Sequence, residues 1–149
     1  MKGYFLHDNP GVLKPPRTEQ GDGWYDTGDI ISLDEDGFIT IRGRAKRFAK
    51  IGGEMISLTA VEDIANKAWP DNMHAVVSIP DEVKGEQLVL VTSQEEPERK
   101  QLMSYARENG ISELNVPKKI IYRKDVPLLG TGKTDYPGVQ TLVNNECGL

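Results

Sequence analysis

The sequence has a single cysteine, Cys147, and two isolated histidines, His7 and His74. One cysteine forms no intramolecular disulfide and no cysteine-rich zinc site, and the histidines show no metal-ligand spacing, so no metal site is expected. Basic residues are outnumbered, 18 Lys and Arg against 23 Asp and Glu, which leaves a formal net charge of -5. Duplex binding rests on cations that neutralise phosphates, so nucleic acid is not an expected partner, although a local basic patch stays open. No apolar run approaches the ~18 residues of a membrane span, and no charged-then-apolar leader is present. The expected compartment is a reducing cytoplasm. The 149 residues suffice for one domain, or for a small domain carrying a tail from a neighbour.

The pattern of what is present predicts an α+β fold. Residues 1 to 23 are rich in proline and glycine, show little apolar periodicity and read as a loop-rich tail. Ile30 to Leu33 and Phe38 to Arg42 flank an acidic turn ending in Gly37 and predict a β-hairpin. A loop is expected from Gly43 to Ser57. Leu58, Val61, Ile64 and Ala65 then recur at helical spacing, with Thr59 to Glu62 resembling a capping box. Two strands follow, His74 to Ile79 and Gln87 to Ser93, then an amphipathic helix from Pro97 to Gly110 and a strand from Lys118 to Arg123. The result is a small mixed sheet with flanking helices, preceded by an N-terminal β-hairpin.

Lys133 lies in Pro127-Leu128-Leu129-Gly130-Thr131-Gly132-Lys133-Thr134. This resembles the end of a phosphate-binding P-loop, but that motif needs a glycine six residues before the lysine, where Pro127 stands. It also needs a helix straight after the lysine, which Pro137-Gly138 is expected to limit. What remains is a cation on a glycine-flanked turn, able to reach a carboxylate or phosphate. Asp29 reads as a turn residue or as an acceptor for a ribose diol. Arg44, returned by the hairpin, could hold a phosphate with Asp29, or the two could hold each other. Arg42, Arg44, Lys46, Arg47 and Lys50 form either a solvated face or a dock for an acidic partner. Gly52-Gly53 gives room for close approach of a ligand or is simply a loop. His74 reads as a packed histidine, and Cys147 is given no catalytic role.

Taken in order, four clusters resemble the C-terminal part of the adenylate-forming superfamily of acyl-CoA synthetases, luciferases and peptide-synthetase adenylation domains. Trp24-Tyr25-Asp26-Thr27-Gly28-Asp29 is similar to its ribose-binding motif, and Gly43-Arg44-Ala45-Lys46 to its hinge. Lys50-Ile51-Gly52-Gly53-Glu54 resembles the loop that meets pantetheine, and Gly130 to Lys133 the mobile catalytic lysine. The similarity covers nearly the whole chain. More narrowly, Gly43 to Lys50, Gly53 to Ser57, Tyr105 to Glu108 and Pro127 to Lys133 resemble acyl-[acyl-carrier-protein] synthetases fused to a 2-acylglycerophosphoethanolamine acyltransferase.

The resemblance implies that residues 1–45 are the tail of a large N-terminal adenylation lobe with a hinge-proximal hairpin, and residues 46–149 a mobile C-terminal α+β domain. It implies a nucleotide site at Tyr25, Thr27, Asp29 and Arg44, a hinge at Lys46, and a pantetheine loop at Lys50, Gly52, Gly53 and Glu54. Lys133 is the implied catalytic residue. The implied reaction consumes a fatty acid and ATP with Mg2+, passes through acyl-AMP, and ends on the pantetheine thiol of acyl carrier protein or CoA. The narrower resemblance adds a link to lysophospholipid reacylation and a parent enzyme at the inner face of a bacterial membrane. The phosphate loop and acyl pocket of the superfamily are missing here, so the chain is expected to be part of a longer enzyme and inactive alone. Many relatives carry Asp where Lys46 stands. The rival readings are a carrier-protein docking module acting through Arg42, Lys46, Arg47, Lys118 and Lys119, and the same domain of a CoA-dependent ligase.

Overall fold

A computed structural model describes residues 2–149. Met1 and the Arg42 side chain, placed in the basic set, lie outside the described residues. The chain divides into two compact units between Lys46 and Arg47.

The first unit is built of antiparallel ribbons. Strand β1 (Tyr4–Leu6) pairs with β2 (Asn9–Lys14), and β3 (Arg17–Thr18) pairs with β4 (Gly21–Asp22). The expected loop-rich tail is therefore paired backbone. Yet β2 is exposed at every position, so these strands are held by main-chain hydrogen bonds without a core, and hydrophobic periodicity could not mark them. Strands β5 (Asp29–Leu33) and β6 (Ile39–Arg44) form the expected hairpin. Its acidic turn is closed by the Asp34 carboxylate, which accepts from the N–H groups of Asp36 and Phe38 at 3.1 and 2.8 Å. Ile31 faces Ile41 and Leu33 faces Ile39 across the ribbon, and all four are more than half exposed.

The second unit opens with β7 (Phe48–Ile51) and β8 (Glu54–Ser57), where a loop was expected. Ile51 pairs with Glu54, so Gly52-Gly53 is a two-residue hairpin turn. Both glycines have positive φ, 60° and 92°, as the tight turns matching strand twist require. Helix α1 (Leu58–Ala68) follows at once, capped by Ser57, whose hydroxyl accepts from the Ala60 N–H at 3.3 Å. Ser57, and not the expected Thr59, is thus the N-cap.

Strands β9 (His74–Asp81) and β10 (Gly85–Thr92) pair along their whole length around a turn held by Asp81. The N–H groups of Lys84 and Val83 hold the Asp81 carboxyl below the usual carboxylate range, helped by Lys118. Helix α2 (Arg99–Glu108) precedes β11 (Lys119–Tyr122), which runs parallel to β10 on its other edge. The β7–β8 hairpin joins that same edge at the Gly85 end, through Ile51. A third helix, α3 (Tyr136–Cys147), ends the chain.

Helix α3 corrects the sequence reading. Pro137 sits in its first turn, where a missing N–H is harmless, and Asp135 caps it by accepting from the Gly138 N–H at 3.1 Å. The P-loop reading still fails on both counts, on Pro127 and on the helix start, since Thr134 is bridged to Leu128 and α3 opens only at Tyr136. The sheet explains why the helix is needed. Val76, Leu88 and Leu90 face one core with Val61, Ile64 and Leu102 of α1 and α2. Ala75, Val77, Val89 and Val91 face a second core with Val139 and Val143 of α3. A sheet apolar on both faces needs helices on both, and each such fully buried side chain contributes about 1.5–3 kcal/mol. Among the described residues, no helix is long and apolar enough to cross a membrane.

His74 is buried at the start of β9, as the packed reading expects. Its Nε2 lies 2.9 Å from the Trp69 carbonyl, which can only accept, so Nε2 carries the proton. The Thr92 hydroxyl then donates to Nδ1 at 2.8 Å. Burial pushes the imidazole below its ordinary value, and the Trp69 carbonyl and the Glu62 charge oppose this only in part. The folded chain therefore binds fewer protons here than the unfolded one, so this contribution is complete above about pH 6.5 and is lost as pH falls below it. Urea midpoints should drop between pH 7.5 and 5.5 in the native chain, and His74→Gln should flatten that part of the slope. An unchanged slope in the variant would show that other groups set it.

Candidate functional site

The expected site residues fall into one group in the first unit and two loops in the second. In the first unit, pairing of β5 with β6 puts Asp29 directly opposite Arg44. The Arg44 Nε stands 3.0 Å from Asp29 Oδ1, and its Nη1 donates to the Thr27 carbonyl at 2.6 Å. Thr27 Oγ1 accepts from the Asp29 N–H at 3.3 Å, and the Gly28 carbonyl accepts from the Ala45 N–H at 2.7 Å. In this structure the acid and the arginine hold each other. Arg44 is largely exposed, so the pair adds little stability and its groups can exchange for a ligand. The Tyr25 ring is exposed and meets Tyr4 edge-on, with centroids 6.4 Å apart. Thr27, Asp29 and Arg44 thus meet at one end of one hairpin, with an acceptor and a cation together, while the ring of Tyr25, just upstream, lies against Tyr4.

In the second unit, Lys50, Gly52, Gly53 and Glu54 share the β7–β8 hairpin. The hairpin is pinned from below: the Glu86 carboxylate accepts from the Lys50 N–H at 2.6 Å, and the Lys84 carbonyl from the Gly52 N–H at 2.9 Å. The glycine turn therefore stands on a fixed base, with the side chains of Lys50 and Glu54 exposed.

Lys133 lies on a separate, self-closed turn. The Leu129 N–H donates to the Lys133 carbonyl at 2.7 Å, the Gly132 N–H to the Leu129 carbonyl at 2.8 Å, and the Asp135 N–H to the Pro127 carbonyl at 2.9 Å. Leu128 and Thr134 form a bridge across it. The Lys133 side chain is exposed and, among the described residues, has no partner. The side chains of Lys46 and Lys50 are likewise exposed and unpartnered among the described residues. An unpaired ammonium on a closed turn is a cation available for an anion that arrives.

The proposed basic dock is divided. Arg47 is turned inward: its Nη2 bonds Glu62 Oε1 at 2.6 Å, its Nη1 bonds the Val76 carbonyl at 2.7 Å, and its guanidinium lies 3.7 Å from the centre of the Tyr136 ring. Lys118 pairs with Asp81 at 3.7 Å, and Lys119 donates to the Cys147 sulfur at 3.1 Å. Sequence reasoning missed the cluster of Arg47, Glu62 and Tyr136. One signal was present: Glu62 lies beside Leu58, Val61 and Ala65 on the apolar stripe of α1, where a carboxylate requires a partner. Among the described residues, no group of three or more His, Cys, Asp or Glu is placed to hold a metal ion.

No protein-family model matches the chain. Individual proteins do. The 3-methylmercaptopropionyl-CoA ligase of Ruegeria lacuscaerulensis is 35% identical over 136 residues, 89% of this chain and 25% of that protein. The 2,3-dihydroxybenzoate-AMP ligase of Bacillus subtilis is 32% identical over 129 residues, 84% of this chain and 24% of that protein. Among solved structures, a Mycobacterium tuberculosis fatty acyl CoA synthetase superposes with a TM-score of 0.64 at 27% identity, covering 83% of this chain and 25% of that one.

The chain is thus homologous to the AMP-forming acyl-CoA and aryl-acid ligases, and its α+β fold is that of the C-terminal domains of adenylate-forming enzymes. It spans about a quarter of the length of the curated relatives it matches.

Proposed function

We propose that this chain is the mobile C-terminal part of an ATP-dependent, AMP-forming acid–thiol ligase. The observation that carries the reading is Lys133, an exposed and unpartnered cation on a turn closed by its own backbone. In the first step a carboxylate oxygen attacks the α-phosphorus of ATP, the bond to the β-phosphate breaks, and acyl-AMP and pyrophosphate result. Lys133 stabilises the negative charge that gathers on the carboxylate and α-phosphate. Mg2+ enters on the ATP phosphates. In the second step a pantetheine thiol, losing its proton, attacks the acyl carbonyl, and AMP leaves with the electrons of the broken C–O bond. The Gly52-Gly53 turn supplies the close approach that a narrow pantetheine arm needs.

Asp29 exchanges Arg44 for the ribose hydroxyls, with Tyr25 and Thr27 beside it, and Lys46 is the hinge between residues 1–45 and 46–149. A large N-terminal lobe supplies the acid pocket and the phosphate loop. Two facts support such a partner: the chain spans a quarter of its relatives, and Ile31, Leu33, Ile39 and Ile41 expose an apolar ribbon face that a two-stranded sheet does not sustain in water. By itself the chain is therefore inactive. The acid is a fatty acid in this reading. For the thiol, the name of the Ruegeria relative supports coenzyme A. Acyl carrier protein, with its link to lysophospholipid reacylation, rests on the local motifs from Gly43 to Ser57, Tyr105 to Glu108 and Pro127 to Lys133.

The test is acyl-adenylate formation from fatty acid and ATP by the chain alone, by a separately produced N-terminal lobe, and by the two mixed. Activity on mixing only is the expected result. Silence from folded pieces that bind each other would end the catalytic reading. Competition between coenzyme A and holo carrier protein in the active mixture then names the acceptor.

A further inference from the structure

The buried cluster missed by sequence reasoning joins two parts of the second unit that are far apart in the chain. Arg47 is its first residue, immediately after Lys46. Tyr136 opens α3, three residues after Lys133. Between them stands Glu62, with both carboxylate oxygens engaged. Oε1 accepts from Arg47 Nη2 at 2.6 Å and from the Val76 N–H at 2.8 Å, and Oε2 accepts from the Tyr136 hydroxyl at 3.1 Å. The Arg47 guanidinium also stacks on the Tyr136 ring. Every bond here is between groups that are at most partly exposed, where water competes weakly. Burial, and then the Glu62 charge, push the Tyr136 phenol above its ordinary value, so it remains a donor. The Thr134 hydroxyl, adjacent in sequence to Lys133, is near enough to act on the same phenol.

Resting on the reading of Lys133 given above, we propose that Glu62 is a positioning residue: through Arg47 and Tyr136 it ties the entry of the second unit to the root of the lysine turn. A rotation that starts at Lys46 then reaches Lys133 without slack. The rest of the turn does not supply this tie, because its hydrogen bonds run within residues 127–135 and fix its shape without fixing its direction. The orientation is set at the two roots of the turn: Val126, packed in the second core, holds the entry, and the Asp135 cap and the Tyr136–Glu62 bond hold the exit toward α3. The cost of a misdirected lysine is large because charge stabilisation depends on donor placement to within about an ångström.

Tyr136→Phe is the mild variant. It keeps the ring under Arg47 and removes only the hydroxyl, whereas Glu62→Ala strands a buried arginine. Hydrogen exchange on the whole chain reads the tie directly. The amides of Asp135, Gly138 and Val139, which hold the turn to the start of α3, should exchange about tenfold faster in Tyr136→Phe, the loss expected for one bond to a charged acceptor. Those of Val89 and Val91 in the sheet should keep their native rates. Uniform acceleration, or no change at the turn, would overturn the proposal.

In the active mixture with the N-terminal lobe, Tyr136→Phe should lower kcat for adenylate formation about tenfold. The KM values for acid and ATP should stay within about twofold, and thioester formation from supplied acyl-adenylate should be retained. Equal loss in both half-reactions would mark a merely structural residue. The two readings fail differently. If Lys133→Ala leaves adenylation intact, the function assigned to the lysine is wrong, and the exchange rates still judge the tie. If Lys133→Ala abolishes adenylation while Tyr136→Phe moves neither exchange nor kcat, only the tie is wrong.

Discussion

Lys133→Ala should slow acyl-adenylate formation by about 10²- to 10³-fold when the chain works with its N-terminal lobe, the range for removing one preorganised charge-stabilising donor. The size follows from where the charge resides. The Lys133 ammonium has no partner among the described residues, so no competing ion pair must break before it meets an anion. The turn is closed by main-chain bonds from Leu129, Gly132 and Asp135, none of which needs the lysine side chain. The variant should therefore keep its fold, with stability within about 0.5 kcal/mol of the native chain, as for exposed positions outside the core. Thioester formation from ready-made acyl-adenylate should survive, because in the proposed function the rotation at Lys46 withdraws Lys133 before the second step. Lys133→Arg should restore only part of the rate, since a planar guanidinium does not place its charge where an ammonium does. Single-turnover assays of the two half-reactions decide the matter. A loss shared equally between them would remove the division of labour.

Glu62→Ala should destabilise the chain by about 3–5 kcal/mol, the usual cost of removing one partner from a buried ion pair. Arg47 would keep a charge only 14% exposed in its side chain, and the Val76 N–H and Tyr136 hydroxyl would lose their acceptor. That loss is a large share of the roughly 5–15 kcal/mol by which single domains are stable. Glu62→Gln should cost less, because an amide oxygen still accepts while the charge attraction is lost. The double replacement Arg47→Met with Glu62→Leu should recover most of the Glu62→Ala loss, since no unpaired charge then stays buried. Urea unfolding of the four proteins measures this. A Glu62→Ala cost below about 1 kcal/mol would mean that water reaches the cluster and satisfies it.

How far the fold could be read from sequence depended on which force made each element. Helix α1, strands β9 and β10 and helix α2 carry apolar residues at their own period, and these elements stand where periodicity puts them. The β7–β8 hairpin stands where a loop is expected, although its signal is local. Phe48 to Ile51 and Glu54 to Ser57 are separated by two glycines, which is a hairpin signal. Strands β1 to β4 left no signal because they bury almost nothing. Helix α3 was hidden by Pro137 and Gly138, although the two-sided apolar character of β9 and β10 already required a cover on the second face.

At the candidate site, motif order singled out Asp29, Arg44, the glycine pair and Lys133 as candidates, because turn glycines and isolated charges are written in the chain itself. Whether Asp29 and Arg44 touch was open until strand register put them opposite each other. Whether Arg47 belongs to a basic surface was open until its guanidinium was seen to point inward. Residue types, their spacing and the apolar periods are local properties, so the sequence alone determined the α+β class, the acidic balance and the order of the motifs. The pairing of Arg47 with Glu62 and Tyr136 joins residues up to 89 positions apart (136 − 47), and only the packing of α1 and α3 around the sheet decides which buried charge finds which partner.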